Sequence, residues 1–237
     1  MCRIFTGAKI VGLGLHLEKS DTLILADFHI GYEESLNKTG ILIPRFSFQD
    51  IIDLLKPILV KRYKKIIVNG DLKHEFGSIS KQEWRETKEL LKILHRATQN
   101  LILIKGNHDT ILEPIIGEFT LKDYEFFDGY YITHGHNLPE GKEFEDAHTI
   151  IIGHEHPAVS LREQIRTEKF KCFLIGNWNK KRLVVLPSVN PVLEGSNVLA
   201  NRPLSPFLKQ NLDNFEVFIF NSKEKKNYNF GKLKNLK

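Results

Sequence analysis

The sequence predicts an α/β protein. Three short, continuous apolar runs, Leu23-Ile24-Leu25-Ala26, Ile66-Ile67-Val68 and Leu101-Ile102-Leu103-Ile104, read as buried strands, and amphipathic helical patterns separate them. Each run breaks into polar residues: Asp27-Phe28-His29, Asn69-Gly70-Asp71 and Lys105-Gly106-Asn107-His108-Asp109. Open α/β sheets place ligands at such carboxyl edges.

Along the chain, Ala8 to Leu15 reads as a strand that precedes the first of these runs. Ser47, three residues before Asp50, opens a helix through Ile51, Ile52, Leu54, Leu55 and Ile58, and Pro57 should bend or end it early. Ser80-Lys81-Gln82-Glu83 opens another, with Trp84, Leu91 and Leu94 as its apolar stripe, bordered by Thr87 and Leu90. Past the third strand the chain changes character. Tyr130 to Thr133, Thr149 to Ile152, Phe170 to Ile175, Leu183 to Leu186 and Phe215 to Phe220 read as strands with little helical pattern between them, and Asn177-Trp178-Asn179-Lys180 supplies a hairpin turn. Trp84, Phe126 and Phe127 are expected to pack in the core.

At 237 residues the chain is expected to form a single domain, 1–237. Hydrophobic residues at 41% and charged residues at 27% exclude disordered and collagenous classes. No apolar run suggests a membrane span and the start lacks a secretory core, so the expected location is cytoplasmic. Cys2 and Cys172, the only cysteines, do not make a disulfide framework. The formal charge of +5 resides in the tail: Lys223, Lys225, Lys226, Lys232, Lys234 and Lys237 face only Glu224 there. That basic segment, 223–237, is expected either to fray or to complete a sheet, and to make at most weak, salt-sensitive contact with nucleic acid.

Six of the 10 histidines fall with two aspartates and an asparagine in short clusters: Asp27/His29, Asp71/His74, Asn107/His108, His134 and His154/His156. Carboxylate oxygens with imidazole nitrogens suit Mn²⁺, Fe²⁺, Co²⁺ or Zn²⁺ better than Mg²⁺ or Ca²⁺. In Asp27-Phe28-His29 and His154-Glu155-His156 the i,i+2 spacing would send both ligands to one face of an extended segment and the middle residue away. Glycine before Asp71, Asn107 and His154 allows tight turns and close backbone approach. Any one cluster alone is more simply a loop feature; the ordered series is what carries the signal.

This series resembles the calcineurin-like metallophosphoesterase superfamily, whose signature runs Asp-x-His, Gly-Asp, Gly-Asn-His-Asp/Glu, a later His, and Gly-His-x-His, all present over residues 27 to 156. Asp71-Leu72-Lys73-His74 is similar to the SbcD-related nuclease branch. Leu186-Pro187-Ser188-Val189-Asn190-Pro191 followed by Gly195 is similar to small archaeal SbcD-related and bacterial DNA-ligase-associated phosphoesterases. The resemblance implies a four-layer sandwich of two mixed β-sheets flanked by helices. It implies a first metal on Asp27, His29 and His156, a second on Asn107, His134 and His154, and Asp71 between them. Manganese is the leading expectation, with Fe, Co, Ni or Zn as substitutes. His108 and His74 are the implied catalytic histidines, and the implied reaction is in-line attack of a metal-bridging hydroxide on a phosphodiester of nucleic acid or nucleotides. Arg45 and Asn190 are candidate substrate contacts. A small-metabolite phosphomonoesterase, and a non-catalytic accessory to a helicase, ligase or other DNA-processing partner, are the competing readings. Asp109 would either anchor a ligand imidazole or cap its turn, and His16, His95, His136 and His148 are expected to pack or lie near the surface.

Overall fold

A computed structural model describes residues 2–41, 47–77, 79–163, 166–200, 202–221 and 223–237. The first sheet follows the chain in order: β1 Cys2–Phe5, β2 Ala8–Val11, β3 Gly14–Leu17, β4 Thr22–Leu25, β5 Tyr63–Asn69, β6 Thr98–Ile104 and β7 Thr120–Lys122. β1 to β4 are antiparallel and β4 to β7 parallel, so the sheet is mixed. The helices are α1 Tyr32–Lys38, α2 Ser47–Leu55, α3 Lys81–Arg96, α4 Glu113–Ile116 and α5 Lys142–Asp146. The second sheet comprises β8 Tyr124–Phe127, β9 Tyr130–Thr133, β10 Thr149–Ile152, β11 Pro157–Glu163, β12 Arg166–Trp178, β13 Lys181–Val185, β14 Ser196–Asn197, β15 Glu216–Asn221 and β16 Lys226–Lys232. β10 runs parallel to β9 and β13, while β12 pairs antiparallel with β11, β13 and β15.

Strand alternation sorts the apolar residues into layers. On β5, Ile66 and Val68 join Leu55 of α2 and Leu90, Leu91 and Leu94 of α3. Ile67, pointing the other way, joins Ile24, Ile102, Ile132, Ile151, Val184 and Phe173 between the two sheets. The outer face of the second sheet packs Ile150, Leu174 and Leu183 against Phe144 of α5 and against Val198, Phe207 and Leu233 from 3₁₀ turns. Two mixed sheets thus face each other with helices outside, and the outer layer over the second sheet is the thinner one.

The structure corrects two local expectations. Ala8 to Leu15 is a hairpin rather than one strand, because Gly12 at φ 61° reverses the chain and Val11 pairs with Gly14. Trp84 is 36% exposed instead of lying in the α3 stripe. Glu83 takes the inward place, where its carboxylate accepts from the N–H groups of His74 and Glu75 at 3.0 and 3.1 Å. Other expectations hold. α2 ends before Pro57, Ser80 caps α3 by accepting from Glu83 N–H at 3.0 Å, and Asn179-Lys180, both at positive φ, turn the chain between β12 and β13. Within the basic segment, β16 pairs antiparallel with β15.

Candidate metal centre

The carboxyl ends of β4, β5, β6, β9 and β10 converge. Loops leaving them are stitched by backbone hydrogen bonds: Asp27 N–H to Gly70 O at 3.2 Å, His29 N–H to Asp71 O at 2.9 Å, and Gly153 N–H to His134 O at 2.9 Å. Asp27, His29, Asp71, His154 and His156 all adopt left-handed backbone, with φ of 57°, 43°, 47°, 63° and 48°. Non-glycine residues there are strained, and Asp, Asn and His tolerate it best. This corrects the reason for the i,i+2 spacing. The two segments are not extended; alternate left-handed residues swing both donors into the cleft and bury the middle residue. Phe28 enters the core against the helices, and Glu155 accepts from Leu204 and Ser205 N–H at 2.8 and 2.9 Å. Glycine is required at two neighbouring positions. A Cβ at Gly70 would fall inside the His134 ring, and one at Gly106 would fall on the Asp71 carboxylate.

The donors form two groups that share one carboxylate. Asp27, His29, Asp71 and His156 have donor atoms within 4.8 Å of one another, as do Asp71, His134 and His154. Asp71 Oδ2 lies 3.4 Å from His29 Nε2 and 3.3 Å from His134 Nε2. Around His134 Nε2 stand Asn107 Oδ1 at 3.0 Å and His154 Nδ1 at 3.2 Å, and His29 Nε2 faces His156 Nε2 at 3.2 Å. One imidazole proton cannot satisfy so many lone pairs, whereas a divalent cation in each group satisfies all of them. The residues therefore fit a pair of metal ions. His134 Nδ1 lies 3.4 Å from Asn69 O, to which it donates, turning Nε2 toward Asp71 and Asn107.

Electrostatics prepares these groups. Burial, reinforced by the neighbouring His156, holds His29 well below the ordinary histidine value; burial and His134 bring His154 down to about 4. Both are thus neutral, the form a metal accepts. Burial opposes ionisation of Asp71, but its hydrogen bond to His134 and the surrounding imidazoles hold it well below the usual carboxylate range. Burial likewise opposes charge on His134, and Asp71 overcomes it, raising the ring to about 9.

The calcineurin-like phosphoesterase model matches residues 21–216. The chain belongs to that family. With its convergent donors, this member is a metal-dependent phosphoesterase. In fold it is similar to the nuclease MPE of Pseudomonas putida, at 16% identity and TM-score 0.64 over 92% of this chain and 94% of that chain. It also matches Yfce, a phosphoesterase from E. coli, at 13% identity and TM-score 0.40 over 85% and 88% of the two chains. A further match is the Zn²⁺ complex of Vps29 from Entamoeba histolytica, at 16% identity and TM-score 0.40 over 89% and 98%. No curated protein matches the sequence significantly. No helix among the described residues is long and apolar enough to cross a membrane.

Beside the family's signature residues the structure brings His74 and His108 together. His74 Nδ1 lies 3.4 Å from His29 Nδ1, and burial with the nearby His108 lowers it to about 4. His108 Nδ1 donates to His74 O at 2.5 Å, and its Nε2 lies 4.0 Å from Asp71 Oδ2. Asp109 adopts the capping role, accepting from Gly106 and Leu72 N–H at 3.0 and 3.1 Å. Asn190 is put to a different use from the substrate contact expected of it. Its amide donates to Phe28 O at 2.9 Å and His29 O at 3.1 Å and accepts from Val192 N–H at 3.0 Å, and the residue is buried. Arg45 lies outside the described residues.

Sequence reasoning missed the residues that brace these loops. Ser188 Oγ donates to Asp27 O at 2.7 Å. Lys171 donates to Ser188 O at 2.9 Å and to Asn190 O. Lys73, fully buried, donates to His108 O at 2.8 Å and to Glu75 O, tying two ligand loops together. A lysine gives no sequence sign that its ammonium will end on backbone carbonyls; Ser188 and Asn190 had a weak one in their flanking prolines.

Proposed function

We propose that the protein is a dinuclear phosphodiesterase acting on nucleic acid or nucleotides, with manganese as its preferred metal. The observation that carries this reading is Asp71 Oδ2, set almost equally far from the two donor groups at 3.4 and 3.3 Å. Asp27, His29 and His156 would hold one ion, Asn107, His134 and His154 the other, with Asp71 common to both. The mixed oxygen and nitrogen donors favour Mn²⁺ among the hard ions, with Fe, Co, Ni or Zn also suited. When bound, such a pair supplies Lewis acidity and an activated water at a phosphoryl centre.

The remaining work falls to the chain. His108 has its Nδ1 proton committed to a carbonyl, which fixes the ring; a second proton on Nε2, taken up before the reaction, would be the one given to the departing oxygen. His74, half-buried and neutral beside it, offers a hydrogen bond to a phosphoryl oxygen. Phe76 lies against the His108 ring with centroids 3.8 Å apart and keeps water from that side. The nuclease named among the structural neighbours is in keeping with a diester substrate.

The test is a manganese-reconstituted assay over single-stranded DNA, duplex DNA, RNA, 2′,3′-cyclic nucleotides and phosphomonoesters, with Asn107→Ala as the inactive control. Diester hydrolysis that vanishes on chelation and returns with Mn²⁺ is expected. Faster turnover of monoesters than of every diester, or full activity after chelation, would overturn the proposal.

A further inference from the structure

Large apolar side chains are unevenly exposed. Of the ten exposed ones among the described residues, four, Phe76 (49%), Ile111 (40%), Tyr124 (38%) and Leu138 (48%), lie within a few residues of a cleft residue or in register with one. Tyr124 pairs across the strands with Thr133, the residue before His134. Phe76 and Leu138 follow His74 and His136 by two positions. Of these four, Tyr124 and Leu138 line one cavity, where apolar surface is available for a ligand to cover.

A cavity of about 630 Å³ opens beside the metal donors and uses Asn107 as part of its wall. It is within the size range of small-molecule sites, roughly 300–1,000 Å³. Tyr124 and Tyr131 line it, stacked with centroids 4.7 Å apart and planes at 16°, and Tyr131 is almost wholly buried. Tyr131 thus backs one face of Tyr124 and leaves the other free, a rigid platform for a planar ring. His136 and Asn137 bring polar groups to the same cavity, and His136 Nδ1 is buried without a hydrogen-bond partner. Polar side chains next to an aromatic platform suit the polar edge or sugar hydroxyl of a stacked base.

Charge narrows the ligand. Lys105 is the cation lining the cavity, and Asp123 and Glu140 oppose it. A track for a duplex needs several phosphate contacts from lysine or arginine, which this wall does not offer. A nucleoside is neutral, planar at one end and hydroxylated at the other.

We propose that this cavity is a nucleoside subsite, receiving the nucleoside attached to the scissile phosphate with its base against Tyr124 and Leu138. The inference rests on the phosphodiesterase reading above and deepens it: the unit recognised is a single nucleoside, not a length of polyanion.

The test compares the thymidine 5′ and 3′ p-nitrophenyl phosphates with methyl p-nitrophenyl phosphate on the manganese-loaded full chain. One base stack is worth about 1–3 kcal/mol, so at least one thymidine ester should exceed the methyl ester about tenfold in kcat/KM. Tyr124→Ala should collapse that ratio toward one through the KM of the thymidine ester, Tyr124→Phe should keep it, and Leu138→Asp should lower it. Equal kcat/KM for thymidine and methyl esters in the unaltered protein, or a ratio that survives both Tyr124→Ala and Leu138→Asp, overturns the subsite while leaving diester hydrolysis standing. Failure of every ester to turn over counts against the phosphodiesterase reading instead. Equilibrium binding of thymidine monophosphate against methyl phosphate then decides the subsite: tighter nucleotide binding lost in Tyr124→Ala supports it, and equal binding overturns it.

Discussion

Two histidine–aspartate clusters lie at opposite ends of β4, and their difference shows what makes one of them a metal centre. At the amino end, His16 Nε2 meets Asp21 Oδ1 at 2.7 Å, and Lys61 Nζ meets the same oxygen at 2.5 Å. At the carboxyl end, Asp27 and Asp71 are surrounded by imidazoles, and among the described residues no lysine or arginine pairs with either. Both ends even use a left-handed aspartate, Asp21 at φ 48° and Asp27 at φ 57°. The first cluster carries its own counter-charge in Lys61. The second gathers two buried carboxylates among imidazoles, of which burial keeps His29 and His154 neutral while His134 answers Asp71, an arrangement with donor atoms to spare for bound cations.

The sharpest way to break this contrast is to remove one carboxylate from each end. Asp71→Asn should reduce bound metal below two ions per chain and lower diester hydrolysis by about a thousandfold or more, because the shared ligand serves both groups. Asp21→Asn should leave metal content intact and cost at most about 1 kcal/mol of stability. Metal analysis and kcat/KM on the two variants check the pair; a comparable loss of metal in both would end the distinction.

A smaller effect is expected from Asn190→Ala, which strands the Phe28 and His29 carbonyls. Thermal unfolding should show a loss of about 1–3 kcal/mol, and manganese affinity should weaken because the ligand loop is freed. Unchanged affinity in a destabilised protein would show that Asn190 supports the core and not the site.

The smallest difference concerns pH at the remote cluster. Burial lowers the His16 pKa from its ordinary 6.5, outweighing the hydrogen bond that its Nε2 donates to Asp21. As pH falls through 6.5 the unfolded chain takes up a proton that folded His16 resists, so stability present above that value is progressively lost below it. His16→Gln should flatten this fall. Matched unfolding curves of metal-free protein between neutral and mildly acidic pH measure it, and identical pH slopes for the two proteins would remove His16 as a cause.

Much of this architecture could be read beforehand. The parallel strands β4, β5 and β6 were legible because buried strands are continuous apolar runs, and the helix boundaries because Ser80 and Pro57 act locally. The hairpin at Gly12 was not, since the residues on either side are equally apolar and only the turn separates them. Trp84 misled for a related reason: helical periodicity allowed two inward faces, and the choice fell to Glu83, which was needed by backbone groups of a distant loop.

From the order of residues alone came the α/β class, the strand ends and the set of donors, because each depends on side-chain type and on spacing within a few positions. The tertiary structure alone decided that left-handed backbone rather than strand pleat aims Asp27, His29, His154 and His156, and that Asn190 and Lys73 brace loops. Those outcomes depend on hydrogen bonds and charges between segments far apart in the chain, and no local pattern of residues encodes which distant carbonyl or imidazole will be the neighbour.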